Sequence, residues 1–232
     1  MKDVLLRDIG LIDYARAWRY QEALHHRLIN RKMILRKHPE KDLKTLSHYL
    51  LFCEHNPVYT LGKSGSEDHL LLNTRQLKKD GVQFFKINRG GDITHHGPGQ
   101  MVVYPILDLD EFFTDIHKYL RFLEEAVILL LADFNILSGR VYGYTGVWLD
   151  GGTPLERKIC AMGIRCSRWI TMHGLALNVN NDLRYFNGII PCGIEGKAVT
   201  SISKELGGQV DVGLVKQRFT HHIKSLFKFN YV

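Results

Sequence analysis

The chain has 232 residues, 45% of them hydrophobic and 24% charged, with a formal net charge of +7. That length is enough to bury a real core in one large domain or two small ones, and no segment is apolar-poor enough to read as a disordered tail. The longest apolar run, AVILLLADF at 126–134, is too short to span a bilayer, so no membrane association is expected.

Taken in chain order, Asp3 to Arg7 reads as a short strand. Asp13 can cap a helix running to about residue 35, because Ala17, Tyr20, Leu24, Leu28 and Leu35 recur at helical spacing. The stretch from Arg31 to Lys44 is rich in basic residues. It reads either as a solvated helix end and loop or as a docking surface for an acidic partner. HYLLFCEHNPVYTLGK (48–63) gives two strands around Asn56-Pro57, with a loop from Gly62 to Ser66. Asn73 to Asp80 is a short helix ended by Gly81. VQFFKIN (82–88) and MVVYPILDL (101–109) are strands joined by RGGDITHHGPGQ (89–100).

A helix from about Asp115 to Ile136 follows, with Leu120, Leu123, Val127, Leu130 and Phe134 on its buried face. Val147 to Leu149, the turn Asp150-Gly151-Gly152 and Lys158 to Cys166 read as a hairpin. Trp169 to Val179 is a strand interrupted at Gly174. Val212, Val215, Phe219, Ile223 and Leu226 mark a closing helix. With no internal repeat and no linker, one α+β domain over 1–232 is expected, built on a mixed or mostly antiparallel sheet flanked by helices. The N-terminal MKDVLLRDIG has neither the apolar core of a secretion signal nor transit-peptide character, so a cytoplasmic location is expected.

The glycine-rich loop is unusual in carrying Arg89, His95, His96 and Gln100, more hydrogen-bonding capacity than a turn requires. It is neither GxGxxG opening a helix nor a P-loop, because GK[ST] is missing. The adjacent histidine pairs lack metal-ligand spacing, and if 95–96 is extended, only one of them can face a site. No GxSxG elbow is present, and no RNP or zinc-finger signal points to nucleic acid. None of the four cysteines forms a CxxC pair. Cys53 sits in an apolar strand. Cys192, between Pro191 and Gly193, has the context of an exposed thiol. As a nucleophile it would need its thiolate stabilised by an ammonium or by a helix N-terminus such as one starting near Val199.

Four stretches together resemble the lipoyl(octanoyl) transferase family: EHNPVYTLG (54–62), RGGDITHHGPGQMVVYPILDL (89–109), GVW…ERKICAMGIRCSRWITMHGLALNVNNDL (146–183) and NGIIPCG (187–193). They cover most of the chain in order, and the RGG-x-x-T-x-H-x-PGQ block is the most specific. His95 stands where the family usually has an aromatic residue. The resemblance implies a fold like that of biotin and lipoate protein ligases. It implies transfer of an octanoyl group from octanoyl-acyl carrier protein to a lysine of a lipoyl domain, in a 2-oxoacid dehydrogenase complex or the glycine cleavage H protein, as the first step of endogenous protein lipoylation.

The same resemblance implies a thioester on Cys192, with Lys158 lowering the thiol pKa and acting with it as a dyad. It places acyl contacts at Arg89, Gly90, Gly91, Asp92, Ile93, Thr94, His95 and His96, at Ala161, Met162 and Gly163, and at Gly174, Leu175 and Ala176. A thioester donor is already activated, so no cofactor is expected. Arg89 is expected to support the acyl loop. His96, His173 and Gln100 are further candidates for assisting an oxyanion site or holding the loop.

An eight-carbon chain buried in an apolar slot would gain roughly 5 kcal/mol, at about 0.8 kcal/mol per methylene. Gly90, Gly91, Gly163 and Gly174 are expected to keep that slot open, and Arg157 should point away from it. Two alternatives stand beside this reading. One is an ATP-dependent lipoate or biotin protein ligase, indifferent to Cys192. The other is a basic binding module that forms no covalent adduct.

Overall fold

The computed structural model describes residues 2–40, 48–191 and 198–232. Strand β1 (Lys2–Ile12) leads into helix α1 (Tyr14–Lys37), whose N-cap Asp13 accepts from the Arg16 N–H. β2 (His48–His55) and β3 (Val58–Leu61) precede α2 (Thr74–Lys79), which Asn73 and Gln76 close with a capping box. β4 (Gln83–Lys86), β5 (Ile93–His96) and β6 (Gln100–Ile106) follow, then α3 (Ile116–Ala132). The second half holds β7 (Val147–Leu149), β8 (Arg157–Ser167), β9 (Ile170–Asn178) and β10 (Ala198–Val199). It ends with α4 (Ile202–Leu206), α5 (Val212–Phe227) and β11 (Phe229–Tyr231).

Two sheets form. The main sheet runs β10-β8-β9-β6-β2-β1-β11, with β7 also paired to β8, and the small sheet runs β4-β3-β5. The main sheet is mixed: β1 pairs parallel to β2, while β2-β6, β6-β9 and β9-β8 are antiparallel. The parallel β1-β2 pair needs a long crossover, and α1 supplies it.

Helices on both faces explain why the central strands read as continuous apolar runs. Alternation sends Leu50 and Phe52 of β2, Met101 and Val103 of β6, and Leu175 and Leu177 of β9 to one layer, under α3 and α5. Tyr49, Leu51 and Cys53, then Val102, Tyr104 and Ile106, and Ala176 go to the other layer, under α1. Leu123, Val127 and Leu130 on α3 are fully buried, each contributing about 1.5–3 kcal/mol.

Several expectations need correction. α3 stops at Ala132, and its inner face carries Tyr119 where Leu120 was expected. Against β8 the strand β9 runs on through Gly174, which pairs with Gly163, while its pairing with β6 stops at Leu175 beside the expected interruption. The loop between β4 and β6 holds a strand of its own, β5. The two strands of 48–63 enter different sheets. Residues 198–199 are strand, so the helix expected from Val199 begins only at Ile202. Within the basic stretch, Lys32 bonds Asp108 at 2.7 Å and Asp110 at 2.6 Å, and Arg31 lies 3.5 Å from Glu111. These two residues therefore tie α1 to the end of β6, while 41–44 lies outside the described residues. Among the described residues no helix is long and apolar enough to cross a membrane.

Candidate active site

The loop 89–92 sits over the α1-covered face of the main sheet, and Arg89 ties it to the small sheet. Its buried guanidinium donates to the Thr60 carbonyl at 2.7 Å, to Thr60 Oγ1 at 3.0 Å and to the Gly90 carbonyl at 2.9 Å. The Gly90 N–H donates to the Ile164 carbonyl of β8 at 2.8 Å, which joins the loop to the main sheet. Asp92 lies 2.6 Å from His69 Nδ1 and accepts from the Ile93 N–H.

Two glycines expected to hold a slot open line the cavity and also have a second task. A Cβ on Gly163 would lie 2.7 Å from the Gly90 carbonyl oxygen, and one on Gly174 would lie 2.1 Å from the Val103 carbonyl oxygen. Glycine at these positions lets loop and strands approach, because any side chain would meet backbone.

β5 separates its two histidines. His96 faces a cavity, while His95 stacks on Tyr185 at 4.7 Å on the other side. Gln100 donates through Nε2 to the His95 carbonyl at 3.1 Å and to Asn178 Oδ1 at 2.9 Å, so its Oε1 accepts from His96 Nδ1 at 2.9 Å. That assignment leaves His96 Nε2 as an acceptor, 3.4 Å from the Thr60 hydroxyl.

Lys158 reaches the cavity through a bulge. Val147 pairs with Cys160 but Trp148 pairs with Lys158, so β8 carries one extra residue between them. Ile159 and Cys160 consequently pack into the same core layer, and Lys158 shares the opposite face with Ala161 and Gly163. Simple alternation from Ala161 would have turned Lys158 away. The Lys158 side chain is buried, 8% exposed, with Nζ 4.4 Å from the Trp148 ring centre. Arg157 points elsewhere, to Glu205 and Asp150, and these pairs hold its guanidinium charged.

The cavity measures about 270 Å³. Ala161, Met162, Gly163, Gly174, Leu175 and Ala176 line it from β8 and β9, and Arg89, Gly91, Asp92, Ile93, Thr94 and His96 from the loop and β5. Gly90 and His95 were expected to contribute, but they stand behind its wall. Cys192 lies outside the described residues. The described chain resumes at Ala198-Val199, and Val199 pairs with Lys158.

Sequence reasoning missed Tyr14, Val102, Tyr104 and Tyr144 as lining residues. The available signal was Tyr104, a polar-tipped aromatic in an otherwise aliphatic strand. His173 also lines the cavity. Its φ of 59° is rare for a non-glycine residue, and its N–H leaves the ladder to donate to Gln21 Oε1 of α1 at 3.0 Å. Burial keeps the histidines of this region neutral: it pushes His55 down to about 4, His95 and His173 to about 3, and His96 well below its ordinary value.

Residues 13–224 match the family model of the lipoyl protein ligase A/B catalytic domain. The chain is 59% identical to an octanoyltransferase of Flavobacterium johnsoniae, covering 98% of this chain and 97% of that one. It is 56% identical to an octanoyltransferase of Cytophaga hutchinsonii, covering 99% and 94%. Among solved structures, a bipartite lipoate protein ligase of Thermoplasma acidophilum superposes with a TM-score of 0.70 at 15% identity, covering all of this chain and 85% of that one. The biotin protein ligase of Aquifex aeolicus gives 0.51, also at 15% identity, covering 98% and 70%. At such identities these two speak for the fold, which is that of the lipoate and biotin protein ligases. The chain belongs to the lipoyl protein ligase A/B catalytic domain family and, within it, to the octanoyltransferases.

Proposed function

We propose that this protein transfers an octanoyl group from octanoyl-acyl carrier protein to a lysine of a lipoyl domain, through a thioester on Cys192. The observation that carries the reading is Lys158. A buried lysine is uncommon, and this one stands at the head of a cavity whose floor is small and apolar. The cavity accommodates an acyl chain, and the lysine serves the reacting carbon at its head.

In the first half-reaction the Cys192 thiolate attacks the donor carbonyl. The C–S bond to the carrier breaks, and the departing carrier thiolate takes a proton from the Lys158 ammonium and leaves as its thiol, so that Lys158 becomes a neutral amine. The Lys158 ammonium favours the thiolate by charge. In the second half-reaction the acceptor lysine attacks the acyl-enzyme, and Lys158 as a neutral amine takes a proton from the attacking nitrogen. The amide forms and the Cys192 thiolate is released. The net charge of +7 favours encounter with an acidic carrier, an attraction that weakens with salt.

The test is intact-protein mass spectrometry after mixing with octanoyl-acyl carrier protein in the absence of ATP, followed by peptide mapping. One octanoyl group on Cys192, discharged by a lipoyl domain, is the expected result. No adduct without ATP, together with product from free octanoate plus ATP, would assign the protein to the ligase chemistry instead.

A further inference from the structure

We infer that Tyr104, braced by His55, is the end wall of the cavity and sets the length of acyl chain that fits. The inference rests on the acyl-transfer reading of that cavity. Its basis is a row of paired residues crossing the main sheet. Ala161 of β8 pairs with Ala176 of β9, Ala176 with Val102 of β6, and Val102 with Cys53 of β2. Lys158 lies three residues before Ala161 on β8 and lines the same cavity. Along this row the lining residues are Ala161 on β8, Ala176 on β9 and then the larger Val102 on β6, with Met162, His173 and Leu175 flanking it.

Tyr104 closes the row. It pairs with Leu51, yet its side chain leans along the strand until its hydroxyl donates to His55 Nε2 at 2.7 Å. His55 Nδ1 lies 2.8 Å from the Ile12 carbonyl and so carries the proton, which leaves Nε2 free to accept. The ring therefore lies over Val102 and Cys53. Tyr14 and His96 complete the wall, stacked at 6.0 Å with 7° between their planes, and His55 meets both edge-on. Every ring in this cluster is held by a partner from another element, so the wall is rigid.

The dimension agrees with the chemistry. Neighbouring strands lie about 4.8 Å apart, so Ala161 and Val102 are about 10 Å apart. A zigzag chain advances about 1.2 Å per bond, as extended backbone does, so the carbon chain of an octanoyl group spans roughly 8–9 Å. A longer chain would meet the Tyr104 ring. A shorter one would leave part of the slot unfilled.

The experiment is calorimetric binding of hexanoate, octanoate, decanoate and dodecanoate to wild type and to three variants, with turnover of octanoyl-acyl carrier protein measured in parallel. Wild type should prefer octanoate. Tyr104→Ala should move the preference to decanoate or dodecanoate. A buried methylene is worth about fourfold, so the decanoate-to-octanoate affinity ratio should rise by about tenfold or more. Tyr104→Phe keeps the ring and should keep the octanoate preference. Ala176→Val, midway along the row, should shift the preference towards hexanoate.

A folded Tyr104→Ala variant with the wild-type length profile would overturn the inference. Should that variant not fold, an unchanged profile in Ala176→Val would overturn it just as well. So would wild-type binding that ignores chain length or is absent for all four acids. Length-graded binding without any transfer would sink the transferase reading and leave the wall standing.

Discussion

Arg89→Ala tests whether the cavity's upper wall is held by one side chain. The guanidinium spends two of its donors on Thr60 and one on the Gly90 carbonyl, all at 2.7–3.0 Å and buried. Hydrogen bonds from a charged donor contribute about 1.5–3 kcal/mol each and do not sum fully, so the truncation should cost about 3–5 kcal/mol. For a chain of this size that corresponds to a fall in Tm of about 10 °C. Arg89→Lys should recover little, because one ammonium cannot reproduce a planar fork with three acceptors. Urea melts give the stability change. Turnover with octanoyl-acyl carrier protein gives the functional one, which should fall because Gly91 to Ile93 lose their support against β8. Stability within about 0.5 kcal/mol of wild type, together with unchanged kcat/KM, would refute the reasoning and remove Arg89 from the site.

Gly174→Ala should destabilise by about 1–3 kcal/mol or more, since its Cβ would meet the Val103 carbonyl of the adjoining strand; a normal melting curve would show that β6 and β9 can part without cost. Acid should unfold the protein early. His55, His95, His96 and His173 have folded-state pKa values below their unfolded value of about 6.5, so the unfolded chain binds more protons, and their stabilisation is present above that pH and lost as pH falls through it towards 3–4. Each group weakens the fold by about 1.4 kcal/mol per pH unit in that window, and a flat denaturation midpoint between pH 7.5 and 5.5 would contradict this. Cys192→Ala should abolish transfer. Lys158→Ala should slow it by about 10²–10⁴-fold in single-turnover assays without loss of fold, and near-normal turnover in either variant would end the dyad mechanism.

The elements were legible where periodicity was strong. The runs LLFC, MVVY and LALN announce strands because a sheet covered on both faces needs apolar residues at every position, and α5 follows from Val215, Phe219 and Ile223. The site was legible as a set of blocks: loop 89–100, the segment around Lys158 and the segment around Gly174 prove to line one cavity. Its outline was not. Tyr14 begins a helix far upstream and signalled no cavity, while Tyr104, a polar-tipped aromatic in a strand that otherwise reads as core, was the one hint of it.

Amino-acid order alone therefore supplies the inventory: which segments are strands and helices, which residue types can carry acyl chemistry, and which family they belong to. Those properties live in local spacing and in linear motifs. Direction and company come from packing in three dimensions. A bulge at Ile159-Cys160 turns Lys158 into the cavity, strand pairing sets Ala161, Ala176 and Val102 in one row, and close backbone approach gives Gly163 and Gly174 their reason. Each depends on contacts between residues distant in the chain, which local pattern does not encode.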